Sequence, residues 1–564
     1  MKFLALAAAL AIAAQPAAKA DDIVMKALDA ELARSPKLQV PPLPAPFFMQ
    51  YTVYECDEFK VRAALGSLTM SVDRTDRQLF PDVLVGSHTL DNENFTGGSL
   101  SPDQDTLPVD DLEPALRHSI WLTTDRAYKG AVRNLQAKYA WLQQNKVADR
   151  LPDFQSEPAS TSLEEFPEFN IDKKAWTDRV VELSKIFADY PEIQRSRVEM
   201  AAYRQKRWLV DTEGTKLRQG RLLSGLSIWT SSQAADGEFV GDTELIFADD
   251  PASLPDEATL RARVKALAER TVATMHAAEG EDYVGPVLFE GQAASSLVDQ
   301  LLSPNLGFPV EPLGSRGSDA WRNPFSGARN HRVLAPFLSV IDDPLTKSFK
   351  NQDLCGTYTY DDDGIAGQRI TLIDHGVLKT LCTSRLPSRW GDHSNGHSFG
   401  GTGWPSVVTL SSEKQVSPAK LKERLIALGK EAGLDYVILV RRIWNEYSLS
   451  DMGWATLGSA SSLQTPSSSY RPNSPVEIYK VFVSDGHEEM IRDVQFRYMS
   501  LRAFRDIECT ADDPTAFPVQ VSGEPLRHII APSLLVKEVE LEPKSKENTD
   551  LPLLPGPFEK SEKK

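Results

Sequence analysis

Between Ile193 and Ile246 apolar and polar residues alternate in runs broken by Asp211-Thr-Glu-Gly214 and Ala235-Asp-Gly237, both of them turn sequences. A period of two with turns at that spacing does not suit helices, and it predicts four antiparallel strands. The runs Phe47 to Cys56, Val61 to Val72 and Leu79 to Val85 are rich in aromatic and β-branched residues and predict an earlier meander. Helical spacing governs Ile23 to Leu32, Pro114 to Lys146, Lys174 to Ala188 and Glu257 to Ala278. The C-terminal half opens with an apolar strand, Val284 to Phe289, and a helix over Gln292 to Leu302. Short strands follow, with Arg369 to Ile373 and Val377 to Cys382 joined by the turn Asp374-His-Gly376. Lys420 to Gly433 reads as a helix, and Val437 to Trp444, Val476 to Ser484 and Ser533 to Leu541 read as strands. The expected class is therefore α+β. An N-terminal α/β domain covers 21–280, with a helical insertion at about 100–190, and a C-terminal domain dominated by antiparallel sheet covers 281–541. The charged, Pro-bearing tail 542–564 is expected to be disordered.

At the other end, Lys2 precedes the apolar run Phe3 to Ala14 and the small-residue sequence Ala18-Lys-Ala20. These are the parts of a signal peptide over residues 1–20, so the mature chain is expected to start near Asp21 and to be periplasmic or secreted. No later run approaches the roughly 20 apolar residues of a membrane-spanning helix. A formal charge of −17 argues against a nucleic-acid surface. Cys56, Cys355, Cys382 and Cys509 are widely spaced and include no CxxC, which supports neither a disulfide scaffold nor a cysteine-based zinc site. Cys355 and Cys382 are nearest in sequence and are the pair most open to bonding in an oxidising compartment.

Three stretches of the C-terminal half carry a resemblance: Phe337-Leu-Ser-Val-Ile-Asp-Asp343, Tyr358-Thr-Tyr-Asp-Asp-Asp-Gly-Ile-Ala-Gly-Gln-Arg369 and Leu372-Ile-Asp-His-Gly-Val-Leu-Lys379. In this order they resemble the C-terminal domain of the TldD/PmbA (TldE) metallopeptidase-related family: a "DD" after an apolar strand, an acidic loop, a "QR" strand start and an "NGVL" turn. Ser394-Asn-Gly-His397 is similar to the family's "TGN" loop, Ala531-Pro-Ser-Leu-Leu-Val536 to its last strand, and Arg207-Trp-Leu-Val-Asp-Thr-Glu-Gly214 to a strand and turn of its N-terminal half. Together the matches span most of 193–541, whereas 21–192 matches weakly.

The resemblance implies a peptidase fold acting on extended peptides. TldD-type members carry H-E-x-x-x-H on a helix after an apolar strand, where two imidazoles bind zinc and the carboxylate activates water. Here the aligned positions hold Asp299, Gln300 and Pro304, and no histidine lies between His276 and His331. A shifted register instead puts Glu290 on the glutamate position, as a candidate base or simply a helix-start carboxylate. No zinc is expected from the motif itself; it would come through non-family ligands or a partner subunit. The PmbA half of the family lacks the metal motif and works beside a TldD subunit, which implies a homodimer here or a heterodimer with a motif-bearing TldD-like chain. A catalytically silent peptide-binding or assembly protein is the alternative. Cys509 lies roughly where relatives carry a third metal ligand, and a buried structural cysteine is the other reading.

Other constellations are weaker. His393 and His397 are four apart but lie in a glycine-rich stretch, so they read as loop residues and not as a helical metal pair. Asp361-Asp-Asp363 lacks calcium-loop spacing and reads as a charged turn. Gly396-His-Ser-Phe-Gly400 satisfies G-x-S-x-G, yet no apolar strand leads into Ser398. Trp390, Trp404, Trp444 and Trp454 line either a peptide groove or a core.

Overall fold

The computed structural model describes residues 22–39, 41, 44–96, 104–147, 150–308, 310–315, 323–388, 390–391, 393–445, 449, 471–519, 525–545 and 557. The expected leader, Trp454 and most of the expected tail lie outside them. The class is α+β, as the patterns indicate.

The N-terminal half is built on a seven-stranded sheet whose long strands are Ser67–Val85, Pro46–Ala64, Arg195–Asp211 and Lys216–Gln233, with Phe239–Ala248 also paired to the last of these. Only the short strand Thr161–Leu163 runs parallel to its neighbour. Two expectations change. The meander is one long hairpin, turning at Leu65 and Gly66, both at positive φ. The four strands from Ile193 are three. Charged residues continue within the strands: Arg74 pairs with Glu58 and Arg204 with Asp57 across the ladder, and Lys60 pairs with Glu58 along its own strand.

Period two then decides what each face meets. Met49, Tyr51, Val53, Phe59, Val61 and Ala63 share one face of their strand, and Val198, Met200, Ala202, Trp208 and Val210 share one face of theirs. Four helices cover that face: Ile23–Arg34 and Glu113–Gln144 over one end, Lys173–Ser184 and Glu257–His276 over the other. Asp22, Asp172 and Asp256 cap three of them, each accepting a backbone N–H three residues on. The opposite face carries Tyr54, Cys56, Tyr203, Gln205 and Arg207, and it turns toward the C-terminal half.

That half stacks a six-stranded sheet on a nine-stranded one. Val287 and Phe289 of the strand Tyr283–Phe289 pack with Leu338, Val340, Leu372 and Ile529 of the other sheet. Between the sheets runs the helix Gln292–Leu297, continued as a π turn over Val298–Leu302. Its small residues, Ala293, Ala294, Ser295 and Ser296, are all buried, as a helix surrounded by core requires. Gln292 fastens it by exchanging two hydrogen bonds with the Ile443 backbone, at 2.9 and 3.0 Å. The helix Pro418–Glu431 covers the outer face of the nine-stranded sheet. The last strand, Leu534–Pro543, runs two residues into the expected tail. Among the described residues, no helix is long and apolar enough to cross a membrane.

Candidate functional site

The polar face of the N-terminal sheet and the loops of the C-terminal half enclose a cleft of about 410 Å³. Two segments that carry the family resemblance meet there. Arg207 donates to the carbonyl oxygens of Tyr360, Asp361 and Asp362 at 2.7 to 3.2 Å, and Arg221 donates to that of Thr357. A second clasp is Arg385, whose guanidinium lies over the rings of Phe48 and Phe154 and pairs with Glu213.

The loop Asp361-Asp-Asp363 is not the solvated turn its composition suggests. Asp361 is 2 % exposed and accepts the backbone N–H groups of Ser398 and Ile365 at 2.9 and 2.8 Å. Burial, with Asp363 beside it, holds its carboxyl well above the usual range. Asp362 is likewise raised by burial, against the pull of Arg207. At the cleft's edge Asp249 is pushed up to about 6 by burial and by Asp353.

Cys355 lines the cleft beside His528. Its backbone N–H donates to His528 Nδ1 at 2.7 Å, and its sulfur lies 3.0 Å from the same nitrogen. Burial pushes this thiol up and brings the imidazole down to about 3. An activated thiolate–imidazolium pair needs the opposite shifts, so the two are neutral core groups. Ser398 also lines the cleft, but its neighbour His397 directs Nε2 at Asp342, so no base serves the serine. Cys355 and Cys382 are not bonded. Cys355 packs with Cys56, Tyr203 and Phe247, whereas Cys382 packs in the core between the two C-terminal sheets.

The motif positions sit at the back of the cleft. Asp299, in the π turn, receives a hydrogen bond from Arg527 Nε at 2.6 Å, both side chains being 3 % exposed. The Arg527 guanidinium also lies over Trp404, which lines the cleft. Gln300 donates to Asn445 and Trp444 and accepts from the Asn473 backbone. Pro304 has no lone pair to offer. These residues do not fit the family's zinc, because a fixed guanidinium occupies the one carboxylate available. Cys509 cannot complete a site with Asp299. It packs with Leu288 and Leu421 on the outer face of the nine-stranded sheet, while the Asp299 helix lies on the inner face with Phe289. Glu290 lies between strand and helix, paired with Arg441 at 3.3 Å and outside the cleft lining.

Sequence reading missed two groupings. Arg527 carries no motif signal. Asp342, Cys382 and His397 were weighed only one by one, yet their ligand atoms lie within 4.8 Å of one another and all three side chains are buried. His397 is thus in a loop as expected, but in its interior. Trp390 and Trp404 are both buried, and Trp444 packs edge-on against Phe239.

Residues 282–425 match the family model described as the PmbA/TldA metallopeptidase C-terminal domain. Among solved structures, the chain is similar to a candidate modulator of a DNA gyrase from Thermotoga maritima, with a TM-score of 0.59 and 16 % identity, covering 92 % of this chain and 99 % of that one. TldE from Thermococcus kodakarensis gives 0.56 and 12 %, covering 91 % and 99 %. A candidate modulator of DNA gyrase from Bacteroides thetaiotaomicron gives 0.56 and 12 %, covering 92 % and 98 %. At these identities the structures establish a shared fold. No curated protein sequence matches the chain.

Proposed function

For a chain that carries a PmbA/TldA metallopeptidase C-terminal domain on a TldE-like fold, we propose a role in proteolysis as a peptide-binding subunit with no zinc at the motif position. The observation that carries this reading is the Asp299–Arg527 pair. It sets a permanent cation and its counter-charge where the family alignment calls for a metal and its base. Hydrolysis would then depend on a motif-bearing TldD-like subunit, with this chain holding the extended substrate. The cleft suits that task, since its walls offer backbone groups, buried acids and apolar side chains such as Leu345, Phe399 and Trp404. The leader expected over residues 1–20 supports a periplasmic or secreted site for this work, which N-terminal sequencing of the mature protein near Asp21 would test.

The deciding experiment measures both binding and cleavage of a labelled unfolded peptide. The chain alone is expected to bind without cleaving, and cleavage is expected once a TldD-like chain is added. Cleavage by the chain alone would overturn the subunit reading, and binding that never leads to cleavage would favour the silent assembly protein. Leu345 is 49 % exposed on the cleft lip and can be changed without touching the core. Burying a leucine contributes about 1.5–3 kcal/mol, so Leu345→Asp is expected to weaken peptide binding by about ten- to a hundredfold, read by fluorescence anisotropy. An unchanged affinity would move the peptide out of this cleft.

A further inference from the structure

We propose that Asp342, Cys382 and His397 form a binding site for one divalent transition-metal ion of the zinc class, separate from the family's motif positions. Asp342 ends the strand Leu338–Asp342, Cys382 follows the hairpin that turns at His375, and His397 lies in the loop leading to Ser398. Asp342 and His397 are fully buried side chains, as is Cys382. The carboxylate, thiol and imidazole lie where a small tetrahedral ion needs them. His397 Nε2 is 3.0 Å and Cys382 Sγ 4.0 Å from Asp342 Oδ2. Ligands of a tetrahedral zinc stand about 3.3–3.5 Å apart, and these three ligand atoms lie within 4.8 Å of one another, so closing on an ion requires shifts of up to about 1 Å.

The hydrogen bonds around the cluster aim these atoms at one another. The Asn395 carbonyl accepts the Nδ1–H of His397 at 2.8 Å, so Nε2 is the ring nitrogen left facing Asp342. That nitrogen is buried and has no hydrogen-bond partner, although Asp342 Oδ2 is only 3.0 Å away, because the carboxylate oxygen is out of line for an N–H···O bond. Two atoms able to ligate a metal therefore face each other at 3.0 Å without a hydrogen bond, and a cation between them would bind both. Ser406 holds the carboxylate in place through its backbone N–H at 3.0 and 3.1 Å and its hydroxyl at 3.1 Å. Such outer bonds orient ligands in metal sites. Among the described residues, no lysine or arginine pairs with Asp342, so an ion would supply the missing positive charge. Binding deprotonates Cys382 and releases that proton to solvent, leaving one carboxylate and one thiolate to balance the dication.

The ligands belong to three separate segments, and the loops that carry them also carry Ser398, Trp404 and Ser406 of the cleft wall. An ion here would brace that wall. All three ligand side chains are buried, and with three protein ligands a tetrahedral ion keeps a fourth position for a bound water.

The test uses the full chain, stripped of metal, loaded with Zn²⁺ or Co²⁺ and freed of excess ion by gel filtration. About one ion per chain is expected, and the Co²⁺ form should show the near-ultraviolet thiolate-to-cobalt absorption that only a cysteine ligand gives. Cys382→Ser should abolish that absorption, His397→Gln should lower the bound ion several-fold, and Cys56→Ser should change neither. The absorption of the unmodified chain tests the proposal even if a variant fails to fold. No bound ion, a bound ion without thiolate absorption, or an ion retained by both site variants would overturn it. None of these readouts involves peptide, so they do not share the fate of the proposed proteolytic role.

Discussion

Arg527→Met is expected to lower the unfolding free energy by about 3–5 kcal/mol, the usual consequence of removing one partner of a buried ion pair. The cost comes less from the lost attraction than from what remains. Asp299, 2 % exposed in the π turn between two sheets, would keep its carboxylate with no guanidinium at 2.6 Å. Desolvation would then fall on a carboxylate that has lost its guanidinium. The companion change separates this pair from an ordinary core contact. Asp299→Leu combined with Arg527→Met removes both charges, and its stability is expected to return to within about 1 kcal/mol of the parent or to exceed it. Equilibrium denaturation of the three variants measures this directly. A loss below about 1 kcal/mol in the single variant would mean that Asp299 is not charged in the folded chain. The assignment of a fixed cation to the motif position would then fail with it.

The same pair shows where the sequence was and was not legible. The strand and helix that carry the motif positions were legible, because an apolar strand followed by a helix is a strong pattern, and the structure has both at Tyr283–Phe289 and Gln292–Leu297. The partner of Asp299 could not be read, since Arg527 comes 228 residues later and opens the strand Arg527–Ala531 with no motif around it. The long N-terminal strands teach a related lesson. Alternation correctly marked them as strands, but the run ending at Cys56 and the next beginning at Val61 are one strand, whose Asp57 and Glu58 pair with Arg204 and Arg74 of the neighbouring strands. Asp342, Cys382 and His397 belong to the first kind of difficulty. Each is unremarkable in its own segment, and their meaning arises only where three segments converge. Acidic loops were misread for another reason. Asp361 pays for burial with backbone N–H groups that no composition can reveal.

Lys138→Met is expected to cost about 3–5 kcal/mol near pH 7.5 and clearly less near pH 5. Lys138 is fully buried on the long helix Glu113–Gln144. Its ammonium lies 2.6 Å from Asp153 and 3.9 Å from Asp91, and it donates to the Glu93 carbonyl, so one cation holds two loop segments to the helix. Asp91 is pushed up to about 7, first by burial, then by Glu93 and Asp153, with Lys138 opposing. A carboxyl raised in the folded state binds its proton more tightly there than when unfolded. This group's contribution to stability is therefore greatest in acid and falls as pH rises from about 4 toward 7. Removing Lys138 takes away an opposing charge, raises that carboxyl further and steepens the fall. Near pH 5 Asp91 is largely protonated and needs the cation less, whereas above pH 7 it must ionise with no ammonium beside it. Denaturation of the parent and the variant across this range gives the difference at each pH. A difference that stays constant from pH 5 to 8 would show that Lys138 does not act through the ionisation of Asp91, leaving its pairing with Asp153 and the packing of its alkyl chain.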